Sequence, residues 1–147
     1  MTRNAINYDD DFYAWTVEQA RLLRAGELSA IDVANIAEEI ESLGRRDRRE
    51  LRSRLTVLLM HLLKWRRQPE ARSTSWSGTI REQRRQLDLV LDDSPSLRPF
   101  LIEVLPGAYG DAREDAAAET GVAETDFPIE CPFSLDEVLA RSFLPEP

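Results

Sequence analysis

The chain has 147 residues, a net charge of −8 and a single cysteine, Cys131. That length favours one domain, which buries about 70% of its unfolded surface without help from disulfides or metals, and one cysteine excludes an internal disulfide framework or a thiolate zinc cluster. No run of about 18 apolar residues offers a membrane span, and the start, polar by Asp9, Asp10 and Asp11, lacks the apolar stretch of a secretory signal, so a cytoplasmic protein is expected.

The first helix is predicted over residues 10–25. Phe12, Trp15, Leu22 and Leu23 fall at helical spacing, with Gln19 among them. Asp9, Asp10 and Asp11 suit the positive end of the helix dipole, which accounts for this acidic trio without a bound cation. Gly26 is the expected stop. The second helix is predicted over 30–43, with Ser29 as N-cap, Val33, Ile36, Ala37, Ile40 and Leu43 as its apolar face, and Gly44 as its end. Glu38 and Glu41 project from the opposite side, and Glu39 lies on a flank. Were the helix to continue past Gly44, Glu41 would sit four residues before Arg45, at ion-pair spacing.

The third helix, 46–67, opens on an arginine cluster and turns apolar. Leu51, Leu55, Leu58, Leu62 and Trp65 follow a 4-3-4-3 spacing, widened by Leu59 and Leu63, with Val57 and Met60 on the other side. A helix apolar almost all round is buried on several sides, so residues 55–65 are expected to form the axis of the core. Pro69 follows its end. A fourth helix over 75–92 places Trp76, Ile80, Leu87, Val90 and Leu91 inward and Arg81, Arg84 and Arg85 at the periphery. Ser94-Pro95 restarts the chain into a helix over 95–105. Pro106-Gly107 should break it before an alanine-rich helix over 108–120 that stops at Gly121. The tail, with Pro128 and Pro132, is expected to be extended. It straps onto the bundle through Phe127, Ile129 and Phe133, and ends in a short helix, 135–141, opened by a Ser134–Glu137 capping box. The expectation is a single all-α domain, 1–147, a compact bundle of about five to seven helices with an extended proline-containing C-terminal strap.

Charge is segregated. Residues 1–44 are net −6, residues 45–85 net +9, and residues 86–147 net −11. If the segments pack side by side, the arginines meet carboxylates from both flanks, in pairs worth about 0–1 kcal/mol each when exposed. The other use of Arg45, Arg46, Arg48, Arg49 and Arg52 is a nucleic-acid or phosphate surface. The overall charge opposes it, and no glycine-rich phosphate loop supports it.

Catalytic chemistry finds little footing, so whether the protein is an enzyme stays open at this stage. The best metal or acid–base constellation is His61, the only histidine, with Glu38, Glu39 or Glu41. A di-metal bundle site needs Glu-x-x-His pairs on two helices, and none is present. His61 reads first as a hydrogen-bonded histidine at the edge of the core. Cys131 has no histidine near it in sequence. Ser73, Ser75 and Ser77 are cap or loop material, and Trp15, Trp65 and Trp76 are core before they are a pocket. No catalytic, cofactor-binding or metal-binding set is assigned, and no cofactor is expected.

The strings YDDDFYAWTVEQARLLRAGEL, NIAEEIESLGRRDRRELRSRL, LLMHLLKW and SWSGTIREQRRQL resemble the bacterial domain-of-unknown-function family 29. DSPSLRP, AREDAAAETG and FPIECPFSLDEVL extend the match from about Tyr8 to Leu144. The resemblance implies a compact helical fold in a bacterial cytoplasmic protein and transfers no catalytic residue. The favoured expectation is a protein-interaction or oligomerisation module with a protein partner or a second copy of itself. Nucleic-acid binding through the arginine cluster comes second, and an enzyme or metal site at His61 third.

Overall fold

Helices form where the apolar spacing places them, but two of the expected stops fail to stop the chain. The computed structural model describes residues 6–147, so residues 1–5 of the expected 1–147 domain lie outside the described range. Among the described residues the fold is all-α: five helices, α1 (Phe12–Ala25), α2 (Val33–Arg67), α3 (Thr74–Asp93), α4 (Arg98–Thr120) and α5 (Leu135–Leu139), with short 3₁₀ turns between them and no strand. Contacts gather into two units, Met1–Arg45 and Arg46–Pro147.

The first unit is a helical hairpin. Asp11 caps α1 by accepting from the Ala14 N–H at 3.0 Å, and Gly26, at φ 74°, takes the left-handed conformation that ends it. Ser29 does not cap the next helix as expected. It lies in the 3₁₀ turn Leu28–Ala30, and Asp32 accepts from the Asn35 N–H at 3.3 Å instead. Asp32 is the better-placed cap because both helices hold it. Its carboxylate accepts from Trp15 Nε1 at 3.1 Å, and its own N–H donates to Gln19 Oε1 at 2.7 Å. Further out, the Tyr8 hydroxyl donates to Glu39. Tyr8 thus reaches Glu39 while Trp15 reaches Asp32, so the two helices run antiparallel. Tyr8, Phe12 and Trp15 form an aromatic cluster with centroids 4.9–5.8 Å apart.

Gly44 does not end α2, which runs on through the arginines as one helix of 35 residues. A helix-interior glycine costs about 1 kcal/mol relative to alanine. The ion pairs that span or succeed it, Glu38–Arg45 at 2.7 Å, Glu41–Arg45 at 3.8 Å and Glu50–Arg54 at 2.9 Å, act against that cost, as does the buried apolar run beyond.

The core lies in the second unit. Leu51, Leu55, Leu58, Leu59, Leu62 and Leu63 are buried along α2, with Ile80 and Leu87 of α3, Leu101 and Ala112 of α4, and Val138 of α5. Here the expected axis, residues 55–65, is found. Ser73 caps α3 through the Trp76 N–H, while Ser94 ends that helix and makes no side-chain cap to the 3₁₀ turn Pro95–Leu97. The expected break at Pro106-Gly107 is absent, because α4 continues to Thr120 with Pro106 inside it. Proline removes one N–H from the ladder and crowds the carbonyl four residues back. Ile102, Pro106 and Gly107 are all exposed, so solvent can serve that turn. Gly107 also gives room to a neighbour, since a Cβ there would stand 3.3 Å from Arg52 Nη2.

The tail is anchored at Phe127, Phe133 and Val138, all buried, whereas Ile129, an expected anchor, is 83% exposed. Tyr109 donates to the Pro128 carbonyl at 2.5 Å, and burial pushes its phenol up to about 12. The Ser134–Glu137 capping box forms, and α5 is two residues shorter than expected.

Candidate functional site

Two features are defined once side chains are placed. The first concerns the apolar face of the hairpin. Val33, Ile40 and Leu43 are 65%, 64% and 58% exposed, and Phe12, Tyr13, Val17, Leu23 and Leu28 are exposed with them. Only Trp15, Gln19 and Leu22 of the first unit's described residues are buried. Val33, Ala37, Ile40 and Gly44 keep the 4-3-4 spacing that Leu51, Leu55, Leu58 and Leu62 adopt further along the helix. The pattern is therefore the same, and only the covering differs.

The second is the arginine cluster, which is largely occupied by its own chain. Arg45 pairs with Glu38 and Glu41. Arg48 stacks over the Phe100 ring at 4.8 Å, and Arg52 reaches Asp111 at 3.2 Å. Among the described residues Arg46 and Arg49 make no ion pair, yet Arg49 and Arg52 share their depression with Asp111, Glu114 and Asp115. Lys64, buried and 2.6 Å from Glu119, and Arg67, 3.9 Å from Asp126, continue the pairing with the acidic C-terminal segment.

His61 sits half-buried, its Nδ1–H donating to the Val57 carbonyl at 2.9 Å within the helix. Burial pushes its pKa below the ordinary value, and the charge of Lys64 adds to this while the Val57 carbonyl and Glu119 oppose it. Glu38, Glu39 and Glu41 belong to the first unit and His61 to the second, and the three carboxylates have partners of their own. Glu38 and Glu41 go to Arg45, and Glu39 to Tyr8. No three His, Cys, Asp or Glu side chains among the described residues are arranged to hold a metal ion. Cys131 is half-buried, and burial pushes its thiol up, away from the thiolate that nucleophilic chemistry needs. No helix among the described residues is long and apolar enough to cross a membrane.

Arg84, expected at the periphery with Arg81 and Arg85, is instead 2% exposed. Its spacing is the available signal, because Arg84 lies one turn from both Ile80 and Leu87 and shares their inward side.

Among its described residues this is an all-α protein. The chain belongs to the family described as "Domain of unknown function DUF29", whose model matches residues 7–144. No significant match was found among curated proteins or among solved structures.

Proposed function

We propose that this is a cytoplasmic self-associating helical module, in which the N-terminal hairpin of one chain packs its bare apolar face on the hairpin of a second copy. The observation that carries this is the exposure of Val33, Ile40 and Leu43 on a helix whose later leucines, Leu51, Leu55, Leu58 and Leu62, are fully buried. Isolated helices of this length are marginal in water, and the hairpin's described residues supply only three buried side chains to hold it. A stable dimer takes about 800 Å² from each partner. Eight large apolar side chains of the hairpin, each 45–77% exposed, are available to contribute to it. A second copy is the occupant favoured, because its face offers the same apolar line and a two-fold axis makes such a line self-complementary. Small residues at Ala37 and Gly44 allow close helix approach.

Light scattering on the purified chain tests this. A mass of two chains is expected, falling to one in Ile40→Asp with helicity retained. A strict monomer at the highest attainable concentration would exclude self-association and leave the face to a different protein. Nucleic-acid binding through Arg46 and Arg49 is the weaker alternative, since three carboxylates line the depression beside Arg49.

A further inference from the structure

Along α3, Ser77, Ile80, Arg81, Arg84 and Arg85 recur at helical spacing and line a pocket of about 490 Å³. Arg141, Ser142 and Leu144, just beyond α5, complete it. Its lining has four arginines, two serine hydroxyls and two aliphatic side chains, with no carboxylate. The volume falls in the range of small-molecule sites, about 300–1,000 Å³.

Arg84 is the unusual member. Its Nε donates to the Val138 carbonyl at 2.8 Å and its Nη1 to the Arg141 carbonyl at 3.4 Å. Its Nη2 is buried and has no partner. Arginine is rarely buried unless paired, and its guanidinium does not escape by losing its proton. Both of its acceptors are neutral. Asp88, one turn along α3, is engaged by Arg141 at 3.4 Å and only partly offsets the effect of burial on Arg84. A clamp on the C-terminal segment accounts for Nε and Nη1. It does not account for Nη2, nor for Arg81, which makes no ion pair among the described residues, nor for Ser142. Arg85 pairs with Glu82, which lies outside the pocket lining.

We propose that this pocket binds a small organic phosphate. The phosphate oxygens accept from the guanidinium fork of Arg81, from Nη1 of Arg141, whose Nε and Nη2 face Asp88, and, with a small shift of its side chain, from the free Nη2 of Arg84, while the apolar part of the ligand rests on Ile80 and Leu144. Phosphate oxygens match guanidinium forks bidentately, and the Ser142 hydroxyl supplies a further donor, whereas that of Ser77 donates to the Thr74 carbonyl at 3.2 Å. All of these residues lie in the second unit, so the pocket stands whether or not the hairpins associate.

Calorimetric titration of the full chain at low salt tests the assignment, with phenyl phosphate, inorganic phosphate and benzoate as probes. Phenyl phosphate is expected to bind at one site, about tenfold or more tighter than either of the others, because only it carries both the phosphate and the apolar body. Arg81→Ala and Arg84→Lys are each expected to weaken it about tenfold or more, the usual effect of losing a charge-assisted hydrogen bond. Arg84 also holds the tail, so Arg81→Ala, an exposed position without an intrachain partner among the described residues, decides the matter if Arg84→Lys fails to fold. Absence of saturable phosphate binding, or binding unchanged in Arg81→Ala, would overturn the site. Equal affinity for benzoate and phenyl phosphate would overturn the choice of phosphate.

Discussion

The two ends of α2 carry the same apolar spacing and meet opposite fates. In the second unit Leu51, Leu55, Leu58 and Leu62 are fully buried, while in the first Val33 and Ile40 are about two-thirds exposed. The contrast shows that amphipathic periodicity reports where a helix needs cover and is silent about which molecule supplies it. In the second unit the chain covers itself with α3, α4 and α5. In the first, α1 covers one side and leaves the Val33–Ala37–Ile40 line open, which is the basis for proposing a second copy there.

Substitutions at the two ends should separate them sharply. Leu58→Ala removes a fully buried side chain and is expected to cost about 2–5 kcal/mol in chemical denaturation. Ile40→Ala, measured at a concentration that keeps the chain monomeric, should shift stability by no more than about 0.5 kcal/mol. A comparable loss at both positions would erase the distinction. Next in size is Asp32→Ala, which removes the α2 cap together with the acceptor for Trp15 Nε1. About 1–2 kcal/mol of lost stability is expected, and a blue shift and altered yield in the emission of Trp15 would localise the damage to the hairpin. Gly44→Ala is smaller and of opposite sign. A Cβ there meets nothing within 4 Å, so in the Ile40→Asp background the gain should be about 0.5–1 kcal/mol. A loss would show that Gly44 is required for something beyond helix geometry.

His61 offers a finer probe of the covered end. Its folded pKa lies below the ordinary histidine value, chiefly because burial disfavours the imidazolium. The unfolded chain therefore binds the proton more readily. The contribution of a neutral His61 is fully present above about pH 6.5, the unfolded value, and is lost as pH falls towards the lowered folded value. As the only histidine, it can be followed by NMR without assignment ambiguity. A titration midpoint below 6.5 is expected, and a midpoint above it would place His61 beside an anion instead of in the core.

Much of the fold was legible because its causes are local. The Leu51–Trp65 spacing, the Gly26 stop and the Ser134–Glu137 capping box each depend on neighbours within about one helical turn. The failures had distant or collective causes. Gly44 and Pro106 are locally disruptive, but continuous helix on both sides, ion pairs across Gly44 and solvent beside Pro106 outweigh them. Ser29 lost the cap to Asp32 because Trp15 and Gln19, on the other helix, hold Asp32 in place. The Ile80–Arg84–Leu87 spacing turns Arg84 inward, but the two carbonyls that hold it there lie in the C-terminal segment, 54 and 57 residues away in sequence, and are not signalled locally. The candidate arginine surface was legible as composition only. The pairing of Arg52 with Asp111 and the stacking of Arg48 on Phe100 required the fold.

Hydrogen exchange along α2 at two protein concentrations tests the central claim most directly. If the hairpin is covered by a second copy, amide protection over residues 33–43 should fall on dilution while protection over residues 51–63 stays unchanged. Protection over 33–43 that is independent of concentration, with a monomeric mass throughout, would contradict it.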